Sequence, residues 1–348
     1  MKKNQWILVL VVLAALAGLG YWGRDRIHFD FRVFGAQLEL ADWRKIVFSL
    51  GIIYCCYVIR SMRWALLLRH IKKVGPFSLL GTQVIGFTGV ALLGRVMDPV
   101  RPYLVAKKTG LPLSNQVAVY IIERLLDMGA MALIFCSVIL LAPAGALPHP
   151  EVIKKVAYGG LTTTVLGALF LLAVRIAGGM VASYSEWIFG MASKKLGLAV
   201  GHKIRTFRAG LDTMRSFTDF AVVGALSLLM WGMIVLAYFE IMRAFVASPQ
   251  LANLTLAKCM LVMAWGMAAS VFQLPVLGWF SQIGLVAAAM TGFFSVAAEP
   301  ATACAATLLL ISFLGIVPVG LIWAQFEHIS LRKVAAESGQ AEVALEVE

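Results

Sequence analysis

Charge is scarce in this 348-residue chain, and negative charge scarcer still: 30 Lys and Arg stand against 18 Asp and Glu, and charged residues make up 14% in all. Soluble domains carry about a quarter charged residues. With 61% apolar residues and a mean hydropathy of +0.87, the composition excludes an ordinary water-soluble protein. Several runs reach or approach the roughly 20 apolar residues that span a bilayer as a helix. The short alternating segments of an outer-membrane barrel are missing. The expected fold class is therefore all-α: a polytopic bundle of about eight transmembrane helices plus re-entrant or broken segments.

Other absences remove whole chemistries. The sequence has no H-E-x-x-H, no G-x-S-x-G, no Walker loop and no dinucleotide fingerprint. The five cysteines, Cys55, Cys56, Cys136, Cys259 and Cys304, lie within apolar runs without a C-x-x-C pair, so neither a disulfide framework nor a metal site is expected. No cofactor and no catalytic motif is expected. The net charge of +12 fits topology signals and contact with anionic lipid heads better than nucleic-acid binding.

What is present is a series of apolar runs. Lys2 and Lys3 precede Trp6–Trp22, which reads as an uncleaved first span, and residues 24–42 read as interfacial. Residues 43–323 form the main membrane domain, with further spans at about 43–68, 115–142, 152–174, 219–245, 257–278, 282–298 and 301–323. Residues 77–93 are apolar but carry Gly81, Gly86 and Gly89, which suggests a broken or re-entrant segment. A re-entrant path here leaves eight crossings and both termini cytoplasmic. It also collects two thirds of the 30 Lys and Arg on the inside. In the polar interval 175–218, Leu196, Val200, Ile204, Phe207, Leu211 and Met214 recur at helical spacing, as in a helix on the membrane surface or packed on the bundle. Residues 324–348 read as a disordered cytoplasmic tail.

Three charged constellations rise above this background. Arg60 and Arg63, three apart with Trp64 beside them, share a helix face. They suit either snorkelling at the membrane edge or two-point capture of phosphate. Arg95, Asp98 and Arg101, followed by Lys107 and Lys108, sit where the Gly-rich segment ends. They suit an anionic headgroup or a topology signal. Glu123, Arg124 and Asp127 fall within a span, where charges normally pair or line a cavity. They read as a structural ion pair locked to Arg95 or Arg101, or as a site coupled to protons or ions. A second interruption, with Gln273, Pro275, Gly278 and Gln282, matches the early one. Paired interruptions point to a transport path at their interface, or to a packing kink.

Arg60-x-x-Arg63-Trp64, then Gly94-Arg95-Val-Met-Asp98-Pro-Val-Arg101-Pro-Tyr103-Leu, then Glu123-Arg124-x-x-Asp127 resemble, in order and spacing, the transmembrane domain of the lysylphosphatidylglycerol synthase family. Met97-Asp98 stands where members commonly carry Gly-Glu, and Pro275-Val-Leu-Gly278-Trp-Phe-Ser281-Gln282 replaces their late Pro-Gly-Gly-Ile-Gly run. The resemblance implies an eight-span, flippase-like module of the bacterial-type cell membrane that moves an anionic or polyprenyl-linked lipid between leaflets. The soluble aminoacyl-transferase domain of the fused synthases has no counterpart here. Membrane lipids are the expected partners, with a separate lipid-modifying enzyme as a further one. The other readings are a non-catalytic scaffold for envelope lipid synthesis, and a lipid transferase using Asp98 or Glu123 as base.

Overall fold

A computed structural model of the chain describes residues 29–94, 97–143, 147–191, 217–270 and 277–330, together with positions 145, 193–195, 197–201, 204, 334 and 337. The expected first span, Arg95, Gln273, Pro275 and all of the 196–214 stripe except Val200 and Ile204 lie outside them. Ile204 packs partly buried against apolar residues of the bundle.

The described residues form a helical bundle. In chain order the helices are α1 (Phe31–Glu39), α2 (Trp43–Leu68), α3 (Pro76–Leu93), α4 (Val100–Thr109), α5 (Leu113–Leu140), α6 (Pro150–Gly190), α7 (Phe217–Arg243), α8 (Pro249–Ala252), α9 (Leu256–Ala269), α10 (Leu277–Phe294), α11 (Ala298–Ser312) and α12 (Val317–Phe326). Among the described residues, α2, α3 and α7 are each long and apolar enough to cross a membrane. A fourth candidate is the pair of α11 and α12, bent by 42°. The expected span at 301–323 falls on this bent pair. Of the expected span at 257–278, the described part up to Ala269 forms α9, 14 residues long. Helix α6 runs 41 residues, well past the expected 152–174, with non-helical backbone at Ala177.

Antiparallel α2 and α7 form the spine and are tied at both ends. At one end Asp42 N–H donates to Ala244 O at 2.8 Å, and the Asp42 carboxylate caps α2 through Arg44 N–H. At the other, Arg69 and His70 both reach the buried carboxylate of Asp219. The main core lies along this spine. Ile52, Cys56, Met230, Ile241 and Phe245 meet Cys259, Met290, Cys304 and Leu308 there.

Residues 77–93 correct the expectation of a broken helix: α3 is continuous over 18 residues. Its glycines make room for neighbours instead. A Cβ at Gly86 would stand 2.5 Å from Arg101 Cγ, one at Gly89 3.0 Å from Met97 Cε, and one at Gly81 would collide with Trp323. The reversal comes after α3. Gly94, at φ +83°, takes a backbone that residues with a Cβ rarely adopt, and α4 then runs back along α3. Its last turn, with Lys107 and Lys108, is closed by Gly110 at φ +68°, and Lys72 Nζ donates to Thr109 O at 2.7 Å. The re-entrant element is thus the α3–α4 hairpin, which leaves and returns to one end of the bundle. Residues 97–110 are its returning limb. That end gathers Arg69, Lys72, Lys73, Lys107 and Lys108, and we call it the basic end.

Part of the segment expected as a disordered tail has a defined place there. Ala324 still belongs to α12, and Val334 is buried against Ile85, Met97, Val100 and Leu104.

The close fit of α3 to α4 yields an expected outcome. Gly86→Ala should lower the melting temperature of the detergent-purified protein, because the added methyl presses on an anchored arginine, at a cost of about 1–3 kcal/mol. Gly51→Ala, where a Cβ meets nothing within 4 Å, should be neutral or stabilising. Equal behaviour of the two variants would contradict this packing.

Candidate functional site

Four helices bring their charged residues to one place inside the bundle. Arg60 and Arg63 come from α2, Gln83 and Phe87 from α3, Arg101 from α4, and Glu123, Arg124 and Asp127 from α5. Counting at 1.5 Å per residue, Arg60 and Arg101 each lie about 12 Å, and Glu123 about 15 Å, along their helices from the basic end. That is close to the middle of a hydrocarbon layer about 30 Å thick.

The arginines differ sharply in their surroundings. Arg101 is fully buried. Its Nη2 donates to both Glu123 carboxylate oxygens at 3.1 and 3.0 Å, and its Nε and Nη2 donate to Gln83 Oε1 at 3.2 and 2.7 Å. Its guanidinium lies 4.3 Å from the ring centre of Phe87, with Trp64 and Tyr120 also near. Arg63 is also fully buried and donates to Asp127 Oδ1 at 2.5 Å, with Glu123 at 3.4 Å. Arg60 is nearly buried, 3.4 Å from Asp127 and 3.6 Å from Glu123. Arg124, more open, holds Glu123 at 3.3 Å and Asp127 at 3.1 Å.

Among the described residues two carboxylates, Glu123 and Asp127, therefore form ion pairs with four guanidiniums. Charges at membrane depth cost roughly 2.5–3.5 kcal/mol each on insertion scales unless paired. Here the pairing is shared and leaves a positive excess. Among the described residues Arg63 Nε, Arg101 Nη1 and Arg124 Nε are buried donors without a hydrogen-bond acceptor.

Beside this cluster lies an interhelical cavity of about 320 Å³. Arg60, Arg124 and Asp98 stand at its charged end, and Tyr57, Phe87, Trp231, Ile234 and Met263 continue it as an apolar channel. Trp231 Nε1 and Gln282 Oε1 line it without a hydrogen-bond partner among the described residues. The lining comes from α2, α3, α5, α7, α9, α10 and α11, so the cavity lies between helices from both halves of the chain.

The expected site residues thus separate. Arg60, Arg63, Arg101, Glu123, Arg124 and Asp127 converge on one network. Asp98 faces the cavity with two of these arginines. Lys107 and Lys108 lie apart, at the basic end. Gly81, Gly86 and Gly89 are packing notches on α3. Gly278 and Gln282 lie in the first turns of α10, and only Gln282 lines the cavity. Trp64 is not at the membrane edge that the snorkelling reading of Arg60 and Arg63 requires: it is buried, and its Nε1 donates to Gln116 Oε1 at 2.9 Å. Sequence reasoning passed over Gln83, Gln116, Phe87 and Trp231. A glutamine within an apolar helix was the available signal for the first two.

The family's sequence profile matches residues 6–322, almost the whole chain. The chain belongs to the lysylphosphatidylglycerol synthase transmembrane-region family. No curated protein and no solved structure matched it. Membership identifies a membrane protein of a lipid-handling family, in keeping with the apolar bundle and its central cavity.

The network predicts an order of costs. Glu123→Gln removes the shared negative charge, puts an NH2 donor where one acceptor oxygen stood among buried arginines, and should destabilise the protein strongly, by about 3–5 kcal/mol. Arg124→Gln, at a partly open position, should cost under about 1 kcal/mol. Thermal unfolding of the two variants in one detergent checks this. The reverse order would contradict the assignment of Glu123 as the hub.

Proposed function

We propose that this protein is a flippase-like transporter that moves an anionic or polyprenyl-linked lipid between leaflets of a bacterial-type cell membrane, without catalysing a reaction. The observation that carries the reading is the central cavity: cationic at mid-depth, apolar along its length, and lined by a re-entrant hairpin. A lipid phosphate is matched by guanidinium donors in two-point fashion. Among the described residues Arg60 and Arg124 are the arginines that reach the cavity, so they receive the headgroup while Arg63 and Arg101 hold the network in place. The apolar lining accepts the adjoining part of the acyl or prenyl chain. The positive-inside tendency puts the basic end, and with it the C-terminal segment, in the cytoplasm.

Asp98 at the same mouth supplies a carboxylate against which a bound phosphate must compete. That favours weak, reversible capture, which transport requires, over permanent retention.

The test is lipid movement in proteoliposomes. Fluorescent phosphatidylglycerol, phosphatidylethanolamine and a polyprenyl phosphate are followed by quenching from outside. Protein-dependent movement of an anionic member is expected, falling about tenfold in Arg60→Gln/Arg124→Gln, which corresponds to the loss of about one charge-assisted hydrogen bond. A folded protein that moves none of the panel would overturn the reading.

A further inference from the structure

A second cavity, of about 460 Å³, lies at the basic end, away from the central network. Its walls are Thr82 of α3, Leu104, Lys107 and Lys108 of α4, and the chain that follows α12: Glu327, His328, Ile329, Ser330, Val334 and Glu337. Its lining combines apolar side chains with two lysines and two glutamates. Two carboxylates of the chain's own C-terminal segment now engage the cations. Lys108 Nζ donates to Glu327 Oε1 at 2.7 Å, and Lys107 Nζ lies 4.0 Å from Glu337 Oε2. Tyr103 on α4 also donates its hydroxyl to Glu337 Oε2 at 2.7 Å.

The segment reaches this position through a turn at His328, whose φ of +52° is unusual for a residue with a Cβ, and is anchored by Val334 under α4. The clamp is electrostatic at its rim: the Lys107 side chain is 65% exposed and that of Lys108 33%. Exposed pairs of this kind are worth under about 1 kcal/mol each. A surface rich in anionic lipid offers the same lysines alternative partners worth about 1 kcal/mol per cation. For the lysines themselves the two sets of contacts are therefore close in strength and mutually exclusive, and the Tyr103 hydrogen bond and the Val334 contact also hold the segment.

We propose that Lys107, Lys108 and the apolar wall at Leu104 form a binding site for a phosphate-bearing group, closed at rest by Glu327 and Glu337. Binding there releases the C-terminal segment from α4. Because α4 also carries Arg101, whose stem lies against α3 at Gly86, the release loosens the limb that holds the central network. The site stands independently of the transport reading, since it requires only that the basic end meet a lipid surface.

The experiment is hydrogen exchange on the full chain in nanodiscs, reading the peptide that carries Glu327 and Glu337. Discs of phosphatidylcholine alone are compared with discs of equal phosphatidylcholine and phosphatidylglycerol. A third arm uses phosphatidylcholine discs with inorganic phosphate. Exchange of this peptide should rise with phosphatidylglycerol while α2 and α3 stay protected. The rise should be lost in Lys107→Gln/Lys108→Gln, whose segment exchanges equally in both discs. A rise with inorganic phosphate as well would name a free anion as ligand and support the site. A rise with the lipid alone names the headgroup. Equal exchange in all three arms, or a lipid response that persists in the double variant, would overturn the proposal.

Discussion

The contact between Arg101 and Glu123 is the constraint on which the rest of this structure depends. Arg101 stands on the short returning limb of a hairpin, and Glu123 on a long helix that lines the cavity. Their pairing at 3.0 Å fixes the depth to which the hairpin enters the bundle. Neither group is tolerable alone at that depth. Together with Gln83 and three aromatic rings they form a polar knot inside an apolar protein, and the backbone follows. Gly86 must be small because the arginine stem passes over it, and Gly94 must reverse the chain so that Arg101 arrives there.

Once that knot is tied, the neighbouring charges take unequal roles. Arg63 is closed off and holds Asp127. Arg60 and Arg124 share the same two carboxylates but keep an edge on the cavity. An arrangement with more guanidiniums than carboxylates is rigid and still attractive to an anion, whereas a neutral cluster of the same size would serve structure alone. The same hairpin delivers Lys107 and Lys108 to the basic end, so one element links the middle of the bundle to its surface.

Much of this was legible in the sequence. The helical membrane class follows from composition. The three constellations stood out because charge is expensive in such a chain; that expense left Arg95 and Arg101 both open as partners of the Glu123 cluster, and the structure selects Arg101 for Glu123. Counting cations also pointed to a hairpin near residues 77–93. Its form was not legible. Glycines at 81, 86 and 89 permit both a break and close packing, and only the position of Arg101, Met97 and Trp323 over them decides for packing. Trp64 beside Arg63 has the composition of a membrane-edge anchor, yet the helix phase turns both inward. The acidic tail carries no apolar periodicity, so the docking of Val334 and Glu337 on α4 rests on single residues that no pattern reveals.

The claim at the centre of this account is that α3 and α4 enter and leave the bundle at one end, held by buried charge. Single cysteines at Lys73 and at Ser114, the latter exposed in the first turn of α5, each in a background with the five native cysteines replaced, place that hairpin directly. In oriented proteoliposomes a membrane-impermeant thiol reagent should reach both positions from the same side. Labelling of the two from opposite sides would mean that the chain crosses between them, and the buried knot of Arg101 and Glu123 could not form as described.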